Sequence, residues 1–513
     1  MRYRNALWAA VITAVGLSGC AIKPQPISEN ERLKSMMADQ SEMYSKQEAI
    51  NGPLTFYDAL ARALKYNFDH RLTVMEAVLQ DTQLSVATLQ MLPKLTASAG
   101  YDARDEQLYS TSALLDGKDT RSTTPATSLD KRRGYADLTF AWNVLDFGVS
   151  YYQAKQQADR VLIAQERQRK VVNNLIKEML QAYWSASIAE RLLPKLEPVL
   201  AQAERALALS HTIEDNRLQP IVGVLEYQRS LLRIIDQLKK LKSDLLVAKP
   251  KLAGLINAPR GADFTLADPE QTPEPPEFNV PVTQLEDLGL FYRPELREEM
   301  YQERISRADA WKEILKIMPG INIPLSVNWD SNSFLLHQLW LDAGVRTTFN
   351  LVNLIAAPKI WESAQTQIEV AKTRRKALTV AALVQINVGY QQYIKALDSY
   401  KSSKELSKVD EGIFTAVSNN ADNDAGSELE RIHAATSALA SQLEKEQSLS
   451  EVYAALGNIY SSIGLNPANV NIENVSVKAL SNTLKNNIDL WYKGKLPTLP
   501  KLTTVQPVKL SKR

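Results

Sequence analysis

The sequence is poor in cysteine and histidine, the residues that most often bind zinc and that serve many enzymes as nucleophile or base. Its 513 residues include a single cysteine, Cys20, so an internal disulfide is excluded. The histidines are too far apart in sequence to match the ligand spacing of a zinc site: His70, His211, His337 and His433. A glycine-rich phosphate loop and a nucleophile elbow are also absent. We therefore predict that the chain is not an enzyme and holds no metal or cofactor.

The chain also lacks a large excess of charge of either sign, and it lacks a long apolar run. The chain has 60 Lys and Arg against 58 Asp and Glu. Arg2 and Arg4 are the only charges in residues 1–19, so the rest of the chain is balanced and offers no basic stripe to a nucleic acid. Beyond residue 19 no run of about 18 apolar residues occurs, which excludes a transmembrane helix. If the mature chain crosses a membrane, β-strands must do so.

The N-terminus has the features of a secretory signal peptide. Arg2 and Arg4 precede an apolar run from Ala6 to Leu17 that is too short to span a bilayer. We predict that residues 1–19 are removed, which leaves the Cys20 thiol at the first mature position, where a lipid can be attached. An ordinary signal peptide with an incidental cysteine is the alternative.

The cleavage region, Leu17-Ser18-Gly19-Cys20, resembles the lipobox of bacterial lipoproteins, in which the cysteine is acylated. Within that class, Ala21 after the cysteine implies delivery to the outer membrane. Residues 20–50 are polar, and we interpret them as a lipid-anchored tether leading to the first folded element. The predicted location is the outer membrane, with the chain extending into the periplasm.

Most of the remaining chain is an internal duplication. A constant difference in residue number, 226, pairs Tyr66 with Tyr292 and Pro93 with Pro319. A second difference, 207, aligns the later segments and pairs Asn143 with Asn350, Arg167 with Arg374 and Tyr183 with Tyr390. The first copy therefore carries an insertion between Pro93 and Asn143, whose length is the gap between the two offsets. The predicted boundaries are 51–267 for the first repeat, 268–281 for a Pro-rich linker, 282–468 for the second repeat and 469–513 for a loosely structured C-terminal tail.

Each repeat is predicted to contain helices, a β-hairpin and a long helical hairpin. The β-hairpins are expected at about 94–145 and 321–351, and the helical hairpins at about 150–257 and 358–464, from the change of apolar period between 2 and 3.6. Pro194 and Pro198 are expected to kink or break the first long helix. A helix of about sixty residues reaches about 90 Å, much more than a globular domain needs.

The predicted strands alternate apolar and polar side chains. Leu138, Phe140 and Trp142, for example, alternate with Asp137 and Asn143. In lipid both edges of such a four-stranded sheet would expose unpaired backbone groups, so it must close with other copies. Two chains would give eight strands, and three would give twelve and leave a lumen. The polar residues predicted to face a solvated interior are Asp137, Asn143, Asn322, Asn328, Asp330 and Arg346. A soluble antiparallel sandwich is the alternative.

Three segments give the chain a resemblance to the TolC family of outer-membrane efflux proteins, which covers most of residues 54–468. They are Leu54–Leu60 at the start of the first repeat, Leu92–Leu95 before the first strand, and Trp142–Gly148 at the strand-to-helix turn. The resemblance implies an α+β membrane protein: a homotrimer with a twelve-stranded β-barrel in the outer membrane, continuous with an α-helical barrel through the periplasm. It also implies docking on a periplasmic adaptor protein and an inner-membrane transporter.

The helix reversals depart from the pattern of this family, which has a glycine-containing turn and an acidic residue there. The first reversal, His211–Pro220, lacks glycine, whereas the second is acidic and contains Gly426. We predict that a threefold set of acidic side chains surrounds the periplasmic entrance: Asp422, Asp424, Glu428 and Glu430. Charges that are merely solvated at a helix turn are the alternative reading.

The leading functional hypothesis is a passive exit channel of a tripartite efflux or export system. Because cargo choice resides mainly in the pump, the sequence does not separate small-molecule efflux from type I protein secretion. A lipid-anchored periplasmic coiled-coil structural protein is the alternative from another class. An enzyme is disfavoured because no nucleophile, metal or phosphate constellation is found.

Overall fold

The structure is a computed structural model that describes residues 24–111, 124–216, 220–267, 280–421, 428–467, 472 and 475–500. Contacts divide the chain into two compact units. The larger unit comprises Gly52–Asn257 and Phe264–Arg513, so both repeats fold together rather than as separate domains. The predicted signal peptide, Cys20 and most of the Pro-rich linker lie outside the described residues.

The smaller unit contains the described residues up to Asn51 together with Ala258–Asp263. Its helix α1 (Glu29–Ser45) lies within the segment predicted to be a tether. Ser28 and Glu31 form a capping box that fixes the start of this helix, and none of its residues is buried. The tether is therefore partly helical.

The two repeats contain matching elements. The first consists of α2 (Phe56–Tyr66), α3 (Phe68–Leu89), β1 (Lys94–Ala103), β2 (Arg132–Asn143), α4 (Val144–Asp215), α5 (Ile221–Leu246) and α6 (Ala248–Leu255). The second consists of α7 (Val282–Tyr292), α8 (Pro294–Leu315), β3 (Gly320–Asp330), β4 (Leu339–Ala343), β5 (Arg346–Thr348), α9 (Val352–Ala421) and α10 (Glu428–Ser462). Adding 226 to the residue numbers at the ends of α2 and α3 gives the ends of α7 and α8. Adding 207 to the first residue of α5 and the last residue of α6 gives the ends of α10. The insertion in the first copy falls in the loop between β1 and β2.

The short helices of each repeat separate at equivalent positions, Asn67 and Arg293. Asn67 ends α2 and caps α3, because its Oδ1 accepts hydrogen bonds from the backbone N–H groups of Asp69 at 2.9 Å and His70 at 3.1 Å. Pro294 occupies the first turn of α8, where a missing N–H has no helical partner to lose. Both junctions are therefore set by local chemistry.

The strands form one antiparallel sheet in the order β1-β2-β3-β4, with β5 also paired to β3. The return strand of the second repeat is predicted as one element, but it is divided into β4 and β5. The reason is Pro324 in β3: its carbonyl accepts from Gly344 N–H at 3.1 Å, but it has no N–H to donate in return. The β2–β3 ladder continues past Pro324, because the missing donor faces β4 and β5.

The long helices exceed their predicted lengths. Helices α4 and α9 contain 72 and 70 residues, and each reaches about 105 Å at 1.5 Å per residue. Helix α4 runs through Pro194 and Pro198 without the break that these residues could have caused. Helix α9 returns as α10, and α4 returns as α5 and α6. Among the helices of the described ranges, none is apolar over a stretch long enough to cross a membrane.

Both returning helices end at a left-handed residue, and the two positions are equivalent. Asn257 follows α6 with a φ of 50°, and Gly464 follows α10 with a φ of 74°. At the second end, Leu465 N–H donates to Tyr460 O at 3.1 Å, which satisfies a terminal carbonyl of α10. A Cβ at residue 464 would lie 2.6 Å from the Cα of Arg293, so this end is fitted closely to the α7–α8 junction.

Within residues 469–513, which are predicted to be a loosely structured tail, the structure describes a helix. Residues Val477–Tyr492 form α11, which packs against α2. Its buried side chains recur at helical spacing: Leu480, Leu484, Ile488 and Trp491. Tyr57 OH donates to Asp489 Oδ1 at 2.6 Å, and the rings of Trp491 and Tyr460 lie 5.3 Å apart. This helix closes the core beside α2, α4 and α10.

The close fit at Gly464 predicts a large effect of a single methyl group. Gly464→Ala should destabilise the protein by about 2 kcal/mol or more, because alanine is strained at this φ and its Cβ meets backbone atoms. Gly412→Ala is the matched control: it lies inside α9 with no atom within 4 Å of an added Cβ, and should be neutral or stabilising by up to about 1 kcal/mol. Thermal unfolding of the two variants in detergent checks this, and equal midpoints would contradict it.

Candidate functional site

The strand register aligns side chains in rows across the sheet. Leu138 lies beside Ala97 on one side and Val327 on the other, and Val327 lies beside Leu341. Two parallel rows have the same character: Leu95, Phe140, Leu325 and Ala343, then Ala99, Ala136, Trp329 and Leu339. Because side chains alternate between faces, these rows give the sheet one continuous apolar face.

The central strands expose this apolar face more than the polar one. Leu138, Val327 and Trp329 are 42–47% exposed, whereas Asp137 and Asn328 are half-buried. A soluble protein buries its apolar sheet face against other elements, and an exposed patch of this kind marks an interaction surface. The described strands belong to a single sheet without a second one over the apolar face. The soluble sandwich considered above therefore does not describe them.

The polar residues predicted to face an interior share the opposite face. Asp137 is opposite Asn328, and Asn322 is opposite both Asn143 and Arg346. The carboxylate of Asp137 accepts a hydrogen bond from Thr139 Oγ1 at 2.9 Å. This face can therefore make hydrogen bonds to water or to a polar solute, whereas the apolar face gains free energy by leaving water.

Asp330 also lies on the polar face, but its charge is paired. Its carboxylate is 2.7 Å from the guanidinium of Arg133, which also lies 3.1 Å from Asp102. Only 8% of Asp330 is exposed, so it acts as a structural anchor rather than as a free lining carboxylate. Arg133 is not among the residues predicted to face the interior, because cross-strand partners depend on the register, which the sequence does not show.

The loop with the insertion is tied to the second hairpin. Asn332 Oδ1 accepts from Asp130 N–H at 3.0 Å, and Asn332 Nδ2 donates to Ser128 O at 2.9 Å. Ser331 Oγ accepts from Gly134 N–H at 2.8 Å. Residues 128–134 of the first hairpin and residues 331–332 of the second therefore form one polar cluster at the end of the sheet remote from the helices.

Both outer strands of the sheet have one unpaired edge within the chain. Strand β1 pairs only with β2, and β4 and β5 pair only with β3. The pairing of β2 with β3 joins the return strand of the first repeat to the first strand of the second. Among the described strands no corresponding partner exists for β4 and β5, whose free edge is equivalent to the edge that β2 presents to β3.

The helix reversals contain part of the predicted acidic set. Asp422 and Asp424 lie outside the described residues, whereas Glu428 and Glu430 are exposed in the first turn of α10. Burial and the nearby charge of Glu428 raise the pKa of Tyr227 in α5.

Polar contacts join the helices at this end. Gln228 Nε2 donates to Glu214 Oε2 at 2.8 Å, which links α5 to the end of α4. Ser230 Oγ and His433 Nε2 are 3.2 Å apart, which links α5 to α10. In the part of the chain that the structure describes, no group of His, Cys, Asp and Glu is arranged to hold a metal ion.

Neither a protein-family model nor a curated protein matches this sequence. Solved structures do match. The MtrE outer membrane channel of Neisseria gonorrhoeae is 15% identical, with 80% of this chain and 88% of MtrE covered at a TM-score of 0.60. The CmeC outer membrane channel of Campylobacter jejuni is 13% identical, with coverages of 91% and 97% and a TM-score of 0.61.

CusC, a protein described as forming a transmembrane channel, is 14% identical, with coverages of 82% and 95% and a TM-score of 0.60. At such low identity the shared property is the fold, and it extends over nearly the whole length of each of these channels. The chain therefore has the fold of these outer-membrane channels, which agrees with the fold that its resemblance to a channel family implies.

Proposed function

We propose that the chain is one subunit of a passive exit channel that crosses the outer membrane and extends into the periplasm. The observation that carries this proposal is the exposure of the two faces of the sheet. The apolar face, with Leu138, Val327 and Trp329, is more exposed than the polar face. Such a sheet suits a surface with hydrocarbon outside and water inside. The fold shared with outer-membrane channels agrees with this reading.

The unpaired sheet edges support a closed assembly of several copies. In hydrocarbon an unpaired backbone group costs several kcal/mol, so the free edge of β4 and β5 needs the β1 edge of another copy. That pairing would repeat the β2–β3 junction within the chain. Three copies with four strand positions each would close a twelve-stranded barrel wide enough for a lumen, with Asp137, Asn143, Asn328 and Arg346 lining it.

The long helices supply the periplasmic part of the channel. Helices of about 105 Å extend far beyond a bilayer whose hydrocarbon core is about 30 Å thick. Their reversals would then form the entrance, with Asp422, Asp424, Glu428 and Glu430 around it. An acidic ring favours cations and offers polar partners to a periplasmic adaptor protein. The energy for transport would come from an inner-membrane transporter, because the sequence contains no motif for chemistry of its own.

Conductance measurements test this function directly. The purified protein should form detergent-stable trimers and open stepwise ion-conducting channels in planar bilayers. Conversion of the four entrance acids to amides should lower the cation selectivity, measured as the reversal potential in a salt gradient, because the fixed negative charge is removed. A soluble monomer without conductance would support the coiled-coil structural alternative and contradict the channel.

A charged substitution on the apolar face tests whether that face lies in lipid or in water. Val327→Lys should cost about 2–4 kcal/mol if this side chain faces the middle of a bilayer, and the protein should fail to accumulate in the outer membrane. Asn328→Lys is the matched control, because the neighbouring residue points to the polar face. Equal amounts of both variants in membrane fractions would show that the apolar face is in water.

Lipid attachment at Cys20 is tested by mass spectrometry. We expect the mature protein to begin at residue 20 and to carry acyl chains on its first residue. Cys20→Ser should abolish the added mass. Because the strands themselves hold the barrel in the bilayer, this variant should still form trimers when it is exported with a signal peptide that needs no cysteine. An unmodified Cys20 in the purified protein would contradict the lipid anchor.

A further inference from the structure

Two aromatic side chains lie on the polar face of the sheet. Tyr135 is opposite Asp330 of β3, and Trp340 of β4 is opposite Asn328. Both partners belong to the polar face, so the two aromatic residues belong to it as well. The apolar face has its own tryptophan at the same level of the sheet, Trp329, which is opposite Leu339. Trp340 therefore lies on the face opposite to the one proposed to contact lipid.

Tyr135 takes part in a cation site that the protein fills with a side chain of its own. The guanidinium carbon of Arg133 lies 5.6 Å from the centre of the Tyr135 ring. The nitrogens of the same guanidinium are 2.7 Å from the carboxylate of Asp330 and 3.1 Å from that of Asp102. An aromatic ring and two carboxylates thus hold an organic cation between them on this face.

Trp340 has the same two kinds of neighbour, an aromatic face and carboxylates, in an open position. Asp342 follows it on β4 at a spacing of two residues, so the two side chains share a face about 7 Å apart. Asp137 lies in the same row across the sheet as Trp340, with Asn328 between them. Trp340 is 41% exposed, and Asp342 is exposed as well. The ring and this carboxylate are therefore accessible to a solute.

The two carboxylates beside Trp340 keep their negative charge. Neither Asp137 nor Asp342 forms an ion pair with a residue of the described ranges. Toward the helices, the next cationic side chains of the polar face in the described strands are Lys94 and Arg346. Each lies four residue positions further along the sheet, or about 13 Å. This part of the face therefore combines an exposed indole ring with negative charge that no side chain neutralises.

We propose that Trp340, Asp342 and Asp137 bind organic cations, in which an ammonium or guanidinium group is attached to an apolar body. The indole ring is the aromatic surface that attracts a cation most strongly. The carboxylates supply the opposite charge, as other carboxylates of this face do for Arg133. The inference rests on the proposed channel, in which the polar face lines the lumen, and it names a class of solute that the lumen favours.

Binding at an open surface of the lumen is weak, and this suits a channel. An exposed contact between a cation and an aromatic ring changes a dissociation constant about two- to fivefold. A solute that passes through a channel must leave its sites as readily as it enters them. Each copy contributes one site, so a closed assembly carries a ring of such sites at one level of the lumen.

Block of the channel current by benzyltriethylammonium tests this site. The purified protein is reconstituted in planar bilayers in potassium chloride, and the current is recorded as the cation is added. We expect a concentration-dependent reduction of the open-channel current, and little effect of benzenesulfonate, an aromatic anion. Trp340→Leu should raise the half-blocking concentration about threefold, because it removes the ring and leaves the charge unchanged. Trp340→Phe should restore part of the block.

Trp329→Leu is the matched control, because it removes an indole of similar exposure, 42%, from the apolar face at the same level. It should leave the block unchanged. Asp342→Asn tests the site without changing the ring and should weaken the block. A conducting channel that the cation does not block would overturn the inference and leave the channel standing. So would a block that survives Trp340→Leu, or that Trp329→Leu weakens equally. Protein that opens no conducting channel would contradict the proposed function and this inference together.

Discussion

The need of every buried backbone N–H and C=O for a partner is the constraint on which the proposed architecture depends. Inside the chain the strands meet this need through antiparallel ladders, which are interrupted only where Pro324 divides β4 from β5, whereas the outward edges of β1 and of β4 and β5 have no partner strand among the described strands. In water those edges could remain hydrated. Beside an apolar face that suits hydrocarbon they could not, so the sheet and its surroundings together call for neighbouring copies.

Duplication extends the same logic to the helices. The two offsets relate the elements from α2 to the end of α10, so the helices of the two repeats have equivalent surfaces. Within the chain, α4 and α8 are joined by arginine–carboxylate pairs, such as Arg167 with Glu298 and Arg297 with Glu166. Such pairs fix the geometry of the contact through directed hydrogen bonds.

Much of the fold could be predicted from the sequence because its signals are local. Asn67 and Pro294 set helix boundaries by capping and by the missing N–H, and the two-residue alternation in β2 and β3 assigned Asp137 and Asn328 to one face. The misses are of two kinds. The division of the return strand depends on Pro324 in the strand opposite, and the pairing of Arg133 with Asp330 depends on register, so neither was visible locally. The helical spacing of Leu480, Leu484 and Ile488 does indicate helix α11, but the polar segments on either side of it make this local signal easy to overlook.

The difference in residue number between equivalent positions of the two repeats changes only once, in the loop between β1 and β2. This loop is therefore the place where the chain accommodates inserted residues. Elsewhere an extra residue would shift a strand register or a helical face against its partner. The loop between Arg104 and Lys131 absorbs the whole insertion, while Asn332 fastens its far side to the neighbouring hairpin. A foreign epitope or a fluorescent label is therefore best accommodated here, at the end of the molecule that the long helices do not reach.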